Sequence, residues 1–201
     1  MKTVTFRDMT WPSDEFMKAD STSDAFNGIE FTNCVCQEVK HNAIRIYKNT
    51  YINNSKLGYL CFNRPEEELS FVSGLLQISV TGSIIDRIEA GIDTFLEVVA
   101  GSDDKKSYID EIEICGRAVL NAVITTRVVV ERCGIAYINP STTIEKLDVR
   151  GTTIIGTDKI HVIILRAGGK VMFSQYPKTE YLIIGTEGRE PFETADGYIC
   201  G

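Results

Sequence analysis

Apolar and polar residues alternate in short runs that recur along most of the chain. In the C-terminal half the runs keep a fixed period, because their last residues lie 18, 17, 17 and 17 positions apart. Short alternating runs predict strands, and a fixed period near 17 without a helical pattern predicts a solenoid. The five runs are Asp110–Gly116, Val128–Gly134, Glu145–Gly151, Val162–Gly168 and Thr179–Gly185.

Similar but less regular runs precede these five. They are Gly28–Cys34, Ala43–Asn49, Leu57–Asn63, Leu76–Gly82 and Phe95–Gly101. A second apolar pair and then turn residues often follow a run, so each repeat should contain two or three short strands. The pattern therefore predicts an all-β protein, a parallel β-helix of about ten short rungs that occupies residues 28–185.

The alternation also predicts which side chains point inward and which residues form corners. The expected core column contains Ile112, Ile114, Val130, Leu147, Val149, Ile164 and Ile183. The residues expected to stack at equivalent corners, in conformations with positive φ, are Gly116, Gly134, Gly151, Gly168 and Gly185.

Both ends of the chain depart from the period. Residues 1–27 are expected to form an N-terminal cap or attachment segment, because an open end rung presents unpaired strand edges. Trp11, Phe6 and Phe16 are the aromatic side chains expected to plug that end or to contact a partner. Residues 186–201 are expected to form a C-terminal cap or a second partner contact.

Composition and charge narrow the function classes. The net charge of −7 argues against a nucleic-acid-binding surface. No run approaches the roughly 18 apolar residues of a membrane span. The N-terminal stretch lacks the apolar region of a signal peptide, so we expect a chain made in the cytoplasm with reduced thiols.

Cysteine and histidine offer little for metal or redox chemistry. Cys115 and Cys133 should lie one rung apart, close enough for a disulfide, but two free thiols are the expected state. His41 and His161 are the only histidines. We therefore expect neither a metal site nor a cofactor.

One set of charged residues remains as candidate chemistry. Glu113, Glu131 and Asp148 are expected in one column on three successive rungs, with Arg132, Arg150 and Arg166 beside them. Adjacent carboxylates on a β-helix face can serve glycoside cleavage when one of them is kept protonated. The alternative is a charged outer face of alternating acids and bases, and the residues favour this alternative.

The runs IEF, IRI, ISV, IEI, LDV and III, which end in Asn or Gly, resemble the pectate-lyase-like right-handed parallel β-helices, a group that includes phage tailspikes and related virion proteins. The resemblance is architectural and covers roughly residues 28–185. It implies a right-handed helix, in agreement with the general preference for right-handed crossovers. No catalytic motif matches, so no catalytic residue is transferred to this chain.

The resemblance implies a structural or attachment protein of a virion, such as a head or tail decoration, fibre or spike. Its partners would then be copies of itself, as in a homotrimer, or a larger assembly. Rungs near 17 residues leave little chain for a substrate groove, which favours a non-enzymatic role. Two alternatives stay open: a carbohydrate-active or glycan-binding β-helix, and a cytoplasmic, self-polymerising scaffold like the bactofilins.

Overall fold

The chain folds as a parallel β-solenoid, as the period predicted. The structure is a computed structural model that describes residues 3–21, 27–39, 43–64, 74–174, 182–185 and 190–201. Within these ranges almost all regular structure is β-strand, and the strands stack in parallel in two long sheets.

Each sheet contains nine stacked parallel strands in the described part of the chain. Sheet one is formed by β1 (Thr3–Arg7), β3 (Gly28–Thr32), β6 (Asn49–Asn53), β8 (Leu76–Thr81), β10 (Thr94–Val99), β12 (Arg117–Leu120), β14 (Ile135–Ile138), β16 (Thr152–Ile155) and β18 (Lys170–Phe173). Sheet two is formed by β2 (Thr10–Ser13), β4 (Val35–Glu38), β7 (Lys56–Phe62), β9 (Ile84–Ala90), β11 (Ser107–Ile114), β13 (Val123–Val130), β15 (Thr143–Val149), β17 (Ile160–Leu165) and β19 (Leu182–Gly185).

A few elements lie outside this stack. They are the helix α1 (Asp14–Ser21), the two-residue strand β5 (Ile44–Arg45) beside β7, a 3-10 helix (Ser102–Asp104), and a C-terminal hairpin of β20 (Phe192–Thr194) and β21 (Gly197–Ile199).

A layer of the solenoid consists of one strand from sheet one and the following strand from sheet two. The prediction of ten rungs was too high, because some runs are not separate layers. Phe95–Gly101 and Asp110–Gly116 contain β10 and β11, which belong to one layer. Ala43–Asn49 contains the short β5 and only the first residue of β6. The first layer, β1 with β2, lies within residues 1–27 and was missed because it precedes the regular spacing.

Most strands of sheet two bend at their middle. In β9 and β11 two neighbouring residues, Asp86–Arg87 and Asp110–Glu111, both point outward between inward-facing isoleucines. The same interruption of the alternation occurs in β13 and β15. Each layer therefore presents three outer faces: sheet one, and the first and second halves of the sheet-two strands.

The core fills the space between these faces with apolar side chains in register. Ile112, Val128, Leu147 and Ile163 form one column of buried residues on adjacent strands. The prediction for Ile164 was wrong: it pairs with Asp148 on the outer side of the sheet, because the rungs differ in length and shift the alternation by one residue. Of the other predicted core residues, Ile183 is half-buried against the core, and Ile112, Ile114, Val130, Leu147 and Val149 are fully buried.

Glycines stack at the corner that leads from sheet two back to sheet one, which we call the second corner. Gly116, Gly134 and Gly151 precede paired strands, and each carbonyl accepts a hydrogen bond from the layer above. The next member is Gly169 and not Gly168, while Gly185 lies within β19 opposite Leu165. These two predictions were wrong because the corner loops differ in length.

The reason for glycine at the second corner is close approach of backbones and not positive φ. A Cβ atom on Gly151 would lie 2.2 Å from the carbonyl oxygen of Glu131 and 2.4 Å from that of Gly134. Gly151 does not have a positive φ. A side chain at Gly151 would therefore be opposed by contact with these two oxygens and not by backbone strain.

A regular series of positive φ values is found instead at the first corner, which leads from sheet one to sheet two, while Gly168 alone of the five predicted glycines has a positive φ, +81°. Asp8, Asn33, Asn54 and Gly82 occupy equivalent positions there with φ between 47° and 55°. The Asn33 side-chain amide donates to Asp8 and that of Asn54 donates to Asn33, at 2.9 and 2.8 Å. The N-terminal half therefore uses an asparagine ladder where the chain must turn left-handed.

A buried serine ladder lies next to this asparagine ladder. The Ser55 hydroxyl accepts from the backbone N–H of Cys34, Ser83 accepts from Ser55, and Ser107 accepts from Ser83. The oxygen–nitrogen distances are 3.0, 3.1 and 3.2 Å, so each hydroxyl satisfies a buried backbone donor of the neighbouring layer.

The connections at the second corner differ sharply along the chain. Three long ones occur in the N-terminal half, at residues 14–27, 39–48 and 63–75. From residue 91 onward, the connections up to β18 contain only two to four residues, at 91–93, 115–116, 131–134, 150–151 and 166–169. The expectation that rungs near 17 residues leave little chain beyond the strands therefore holds for the second corner in the C-terminal half and fails in the N-terminal half.

The two ends of sheet one are also different. At the C-terminal end β21 pairs with β18 in the antiparallel direction, and β20 pairs with β21. This hairpin covers the edge that β18 would otherwise expose. At the N-terminal end β1 is the outermost strand among the described residues. The stack thus begins at Thr3, and a separate role of residues 1–27 in attachment stays a prediction.

Candidate functional site

The largest group of interacting charges lies on the outer face formed by the second halves of the sheet-two strands. We call it the ionic ladder and define it as Arg87, Glu111, Glu113, Arg127, Asp148 and Arg166. Strand register places five of these side chains in two adjacent outward columns, and Arg166 reaches them from the second corner, so that acids and bases meet across layers.

The lower part of the ladder alternates arginine and glutamate. Arg87 contacts Glu113 at 2.8 Å and Glu111 at 3.5 Å, and Arg127 contacts the other oxygen of Glu111 at 2.9 Å. Burial alone would lower the pKa of Arg87, but the neighbouring Glu111 and Glu113 carboxylates raise it. Glu113 is thus held as the partner of a charged guanidinium.

Asp148 is the most enclosed acid of the ladder. Its side chain has 0% exposure, and Arg166 donates to both carboxylate oxygens, from Nε at 2.6 Å and from Nη2 at 2.7 Å. Arg127 lies 3.8 Å away on the other side. The expectation of a charged outer face open to solvent does not hold for Asp148, because two arginines and the adjacent strands cover it.

Glu131, the third acid proposed from the sequence, is not in this column. The register pairs Glu113 with Val129 and Val129 with Asp148, so Glu131 falls two residues later, at the second corner. It accepts from Arg150 through both carboxylate oxygens, at 3.1 and 3.2 Å. The predicted column of three acids was wrong because the connection after β13 is two residues longer than the one after β15.

Each of the three proposed catalytic acids therefore has an arginine partner. Glycoside cleavage instead requires two carboxyl groups that flank the scissile bond at a set distance. The arrangement is chemically suited to joining successive layers through ion pairs. It does not bring two of these acids together without an intervening base.

The ladder continues toward the N-terminal end through Tyr59 and Glu89. The Tyr59 hydroxyl donates to Glu89 at 2.5 Å, and the Arg87 guanidinium lies 4.9 Å from the centre of the Tyr59 ring. Burial, together with the hydrogen bond to Glu89, raises the pKa of Tyr59 to about 12. Tyr59 is therefore a neutral donor at physiological pH, and the sequence pattern gave no sign of its role.

All six cysteines are free thiols, which agrees with the expectation for Cys115 and Cys133. Burial, reinforced by the Glu113 carboxylate, raises the pKa of Cys115 to about 11, while Cys133 is exposed. Burial and the Glu89 carboxylate raise the pKa of Cys61 to about 11 as well. Among the described residues, no three His, Cys, Asp or Glu side chains converge as a metal site requires.

An open groove crosses the face formed by the first halves of the sheet-two strands. It has a volume of about 410 Å³ and spans five layers, from Ile84 to His161. Its apolar part includes Tyr108, whose side chain is 51% exposed, and its polar part includes Asp110 and Glu145. His161 lies at the end of this groove, and His41 lies outside the described residues. The groove was not predicted, because the residues that line it come from separate rungs.

The aromatic residues proposed for the N-terminal end have divided roles. Trp11 is 3% exposed and packs edge-on against Phe6 and Phe31, with ring centres 5.6 and 6.1 Å away. Trp11 and Phe6 thus fill the interior of the first layer. Phe16, on α1, is 60% exposed and is the one of the three that a partner could contact directly.

Comparison with known proteins adds no family to this description. No protein-family model, no curated protein and no solved structure matches the chain. Within the described ranges, no helix combines the length and the apolar character needed to cross a membrane.

Proposed function

We propose that this chain is a non-enzymatic structural or attachment β-solenoid. The observation that carries the proposal is the pairing of every candidate catalytic acid with arginine: Glu113 with Arg87, Glu131 with Arg150, and Asp148 with Arg166. Ion pairs that join neighbouring layers tie these three acids into the stack, which suits a structural role.

The setting we propose is a virion, as a decoration, fibre or spike component that associates with itself, for example as a trimer, or with a larger assembly. Support comes from the architectural resemblance to phage tailspikes and from the exposed Phe16 near the N-terminal end of the stack. The covered edge of β18 argues against a scaffold that polymerises head to tail, because a further parallel strand cannot pair where β21 already lies.

The proposal is tested by light scattering of the purified chain and by incubation with a panel of acidic and neutral polysaccharides. We expect a discrete oligomer and no depolymerisation. Phe16→Ser should reduce a partner contact, whereas Phe192→Ser changes an equally exposed phenylalanine at the other end and serves as the control. Depolymerisation that is lost in Glu131→Gln, with unchanged folding, would replace the structural proposal by the enzymatic one.

Glycan binding is the second candidate, and the groove around Tyr108 favours it. An exposed aromatic ring beside carboxylates can stack on a sugar and accept hydrogen bonds from its hydroxyl groups. The test is binding of the same polysaccharides to Tyr108→Ala and to Tyr137→Ala, which removes an exposed tyrosine of sheet one. Binding that only Tyr108→Ala weakens would support this candidate, and absence of binding to the wild-type chain would exclude it.

A further inference from the structure

A notch interrupts the second corner in the C-terminal half. The connection after β15 contains only Arg150 and Gly151, whereas those after β13 and β17 contain four residues each. The corner of the middle layer is therefore recessed between two longer corners. The resulting cavity has a volume of about 250 Å³ and is lined by Arg132, Arg150, Arg166 and Ala167. We call it the arginine notch.

The three arginines of the notch come from three successive layers. Neighbouring strands lie about 4.8 Å apart, so the guanidinium groups approach the cavity from different heights. Arg150 contacts Glu131 through Nη1 alone. Arg132 is exposed and forms no salt bridge with any described residue. The guanidinium groups of Arg132 and Arg150 thus retain N–H groups that can donate to a ligand.

Positive side chains lie close together around the notch. Arg150 pairs with Glu131 and Arg166 pairs with Asp148, whereas Arg132 pairs with no carboxylate of the described residues. Arg132 therefore adds a positive charge beside the two ion pairs. Like charges at neighbouring corners repel each other, so a bound anion would relieve the repulsion.

We propose that the arginine notch binds a tetrahedral oxyanion, phosphate or sulfate, either free or as the monoester of a larger molecule. Guanidinium groups donate paired N–H bonds whose geometry matches such oxygens. The recessed middle corner supplies the concave shape, and the donors of three layers can reach several oxygens of one group. A planar carboxylate presents fewer oxygens and should bind more weakly.

The test is isothermal titration calorimetry of the full chain at low ionic strength, with inorganic phosphate, inorganic sulfate, glycerol 3-phosphate and acetate. We expect saturable binding of phosphate and sulfate, weaker binding of acetate, and weakening by added NaCl. Loss of one charged hydrogen-bond donor in Arg132→Gln should weaken phosphate binding roughly tenfold. Tighter binding of glycerol 3-phosphate than of phosphate would identify a phosphate monoester as the preferred ligand. Equal binding of the two would identify the free anion as the ligand.

Arg7→Gln is the matched control, because Arg7 is an exposed arginine of β1 at the far end of the stack. It should leave phosphate binding unchanged. Arg132 has no salt bridge with a described residue, so Arg132→Gln should keep the wild-type melting temperature. The proposal is overturned if the wild-type chain binds no phosphate, if acetate binds as tightly, or if Arg132→Gln and Arg7→Gln behave alike.

Discussion

The N-terminal and C-terminal halves of the solenoid build the same layer in different ways. In the N-terminal half the first corner is fixed by residues with positive φ, Asp8, Asn33, Asn54 and Gly82, and the second corner carries long connections. In the C-terminal half the second corner is closed by glycines that touch the carbonyl groups of the layer below. The comparison shows that the two corners place different demands on the backbone. The first corner needs residues that tolerate positive φ, and the second needs glycines that leave room for a neighbouring carbonyl group.

The core column should unite the two halves into one cooperative unit. Leu60 in β7 and Leu147 in β15 belong to the same column and are fully buried. Leu60→Ala and Leu147→Ala should each cost about 2–5 kcal/mol in urea unfolding. Ile164→Ala, on the outer side, should cost clearly less. Two separate unfolding transitions, or a near-neutral Leu147→Ala, would show that the halves or the faces have been assigned wrongly.

The closed corner of the C-terminal half should not accept a side chain. Gly151→Ala places a Cβ atom against two backbone oxygens, at 2.2 and 2.4 Å, so the corner must shift. We expect a loss of about 3 kcal/mol, at the upper end of overpacking costs. Thermal unfolding measures it, and Gly201→Ala, where no atom lies within 4 Å of the added Cβ and φ is not positive, controls for the change of residue type alone.

The two acids of the C-terminal half should differ in their contribution to stability. Asp148→Asn removes the charge from a fully buried carboxylate that accepts two hydrogen bonds from Arg166, and should cost about 2 kcal/mol. Glu131→Gln affects a more exposed pair and should cost less than about 1 kcal/mol. Equal values in denaturant unfolding would mean that burial of Asp148 does not matter.

Thiol reactivity should distinguish Cys133 of the C-terminal half from the buried cysteines of the N-terminal half. Cys34, Cys36 and Cys61 in the N-terminal half are buried, whereas Cys133 in the C-terminal half is exposed. At pH 8 iodoacetamide should label Cys133 first, as peptide mass spectrometry can show.

The same thiols give the sign of the pH dependence. The pKa of Cys61 rises from 9.0 to about 11 in the folded chain, so the folded state retains its proton longer. This contribution to stability is fully present below about pH 9 and is lost as the pH rises toward 11. A chain that became more stable over this interval would contradict the burial of Cys61.

The open corner of the N-terminal half should tolerate a side chain that accepts positive φ. Gly82 has φ of +53°, close to the values of Asn33 and Asn54, and its nearest neighbour would lie 3.5 Å from an added Cβ. Gly82→Asn should therefore change the free energy of unfolding by less than about 1 kcal/mol. A loss as large as that of Gly151→Ala would remove the distinction between the two corners.

The sequence predicted the fold from the alternation and the period, since both reflect the burial of one side of each strand. It predicted most of the core column, but it misplaced Ile164 because a connection of unequal length shifts the register by one residue. It also placed Glu131 beside Asp148 for the same reason. Corner lengths are set by contacts between layers, and a single run of residues does not contain that information.

The pattern of residues predicted the fold better than it predicted the candidate site. Tyr59 and Glu89 lie in successive layers, as do Ile84 and Tyr108, and only the pairing of strands brings them together. The arginine notch depends on a two-residue connection between two four-residue ones. A difference in length between neighbouring repeats was the sequence signal from which this notch could have been predicted.

The second corner accepts connections of different lengths because the entropy lost on closing a loop depends only weakly on the length of the loop. Its connections range from two residues, at 150–151, to fourteen, at 14–27, while the strands on either side stay in register. By the logarithmic law for flexible chains, closing a loop of thirteen residues, the length of 63–75, costs only about 1.7 kcal/mol more than closing one of two residues. Foreign peptide segments should therefore be tolerated at this corner with little loss of stability. The connection 63–75 is the preferred insertion site.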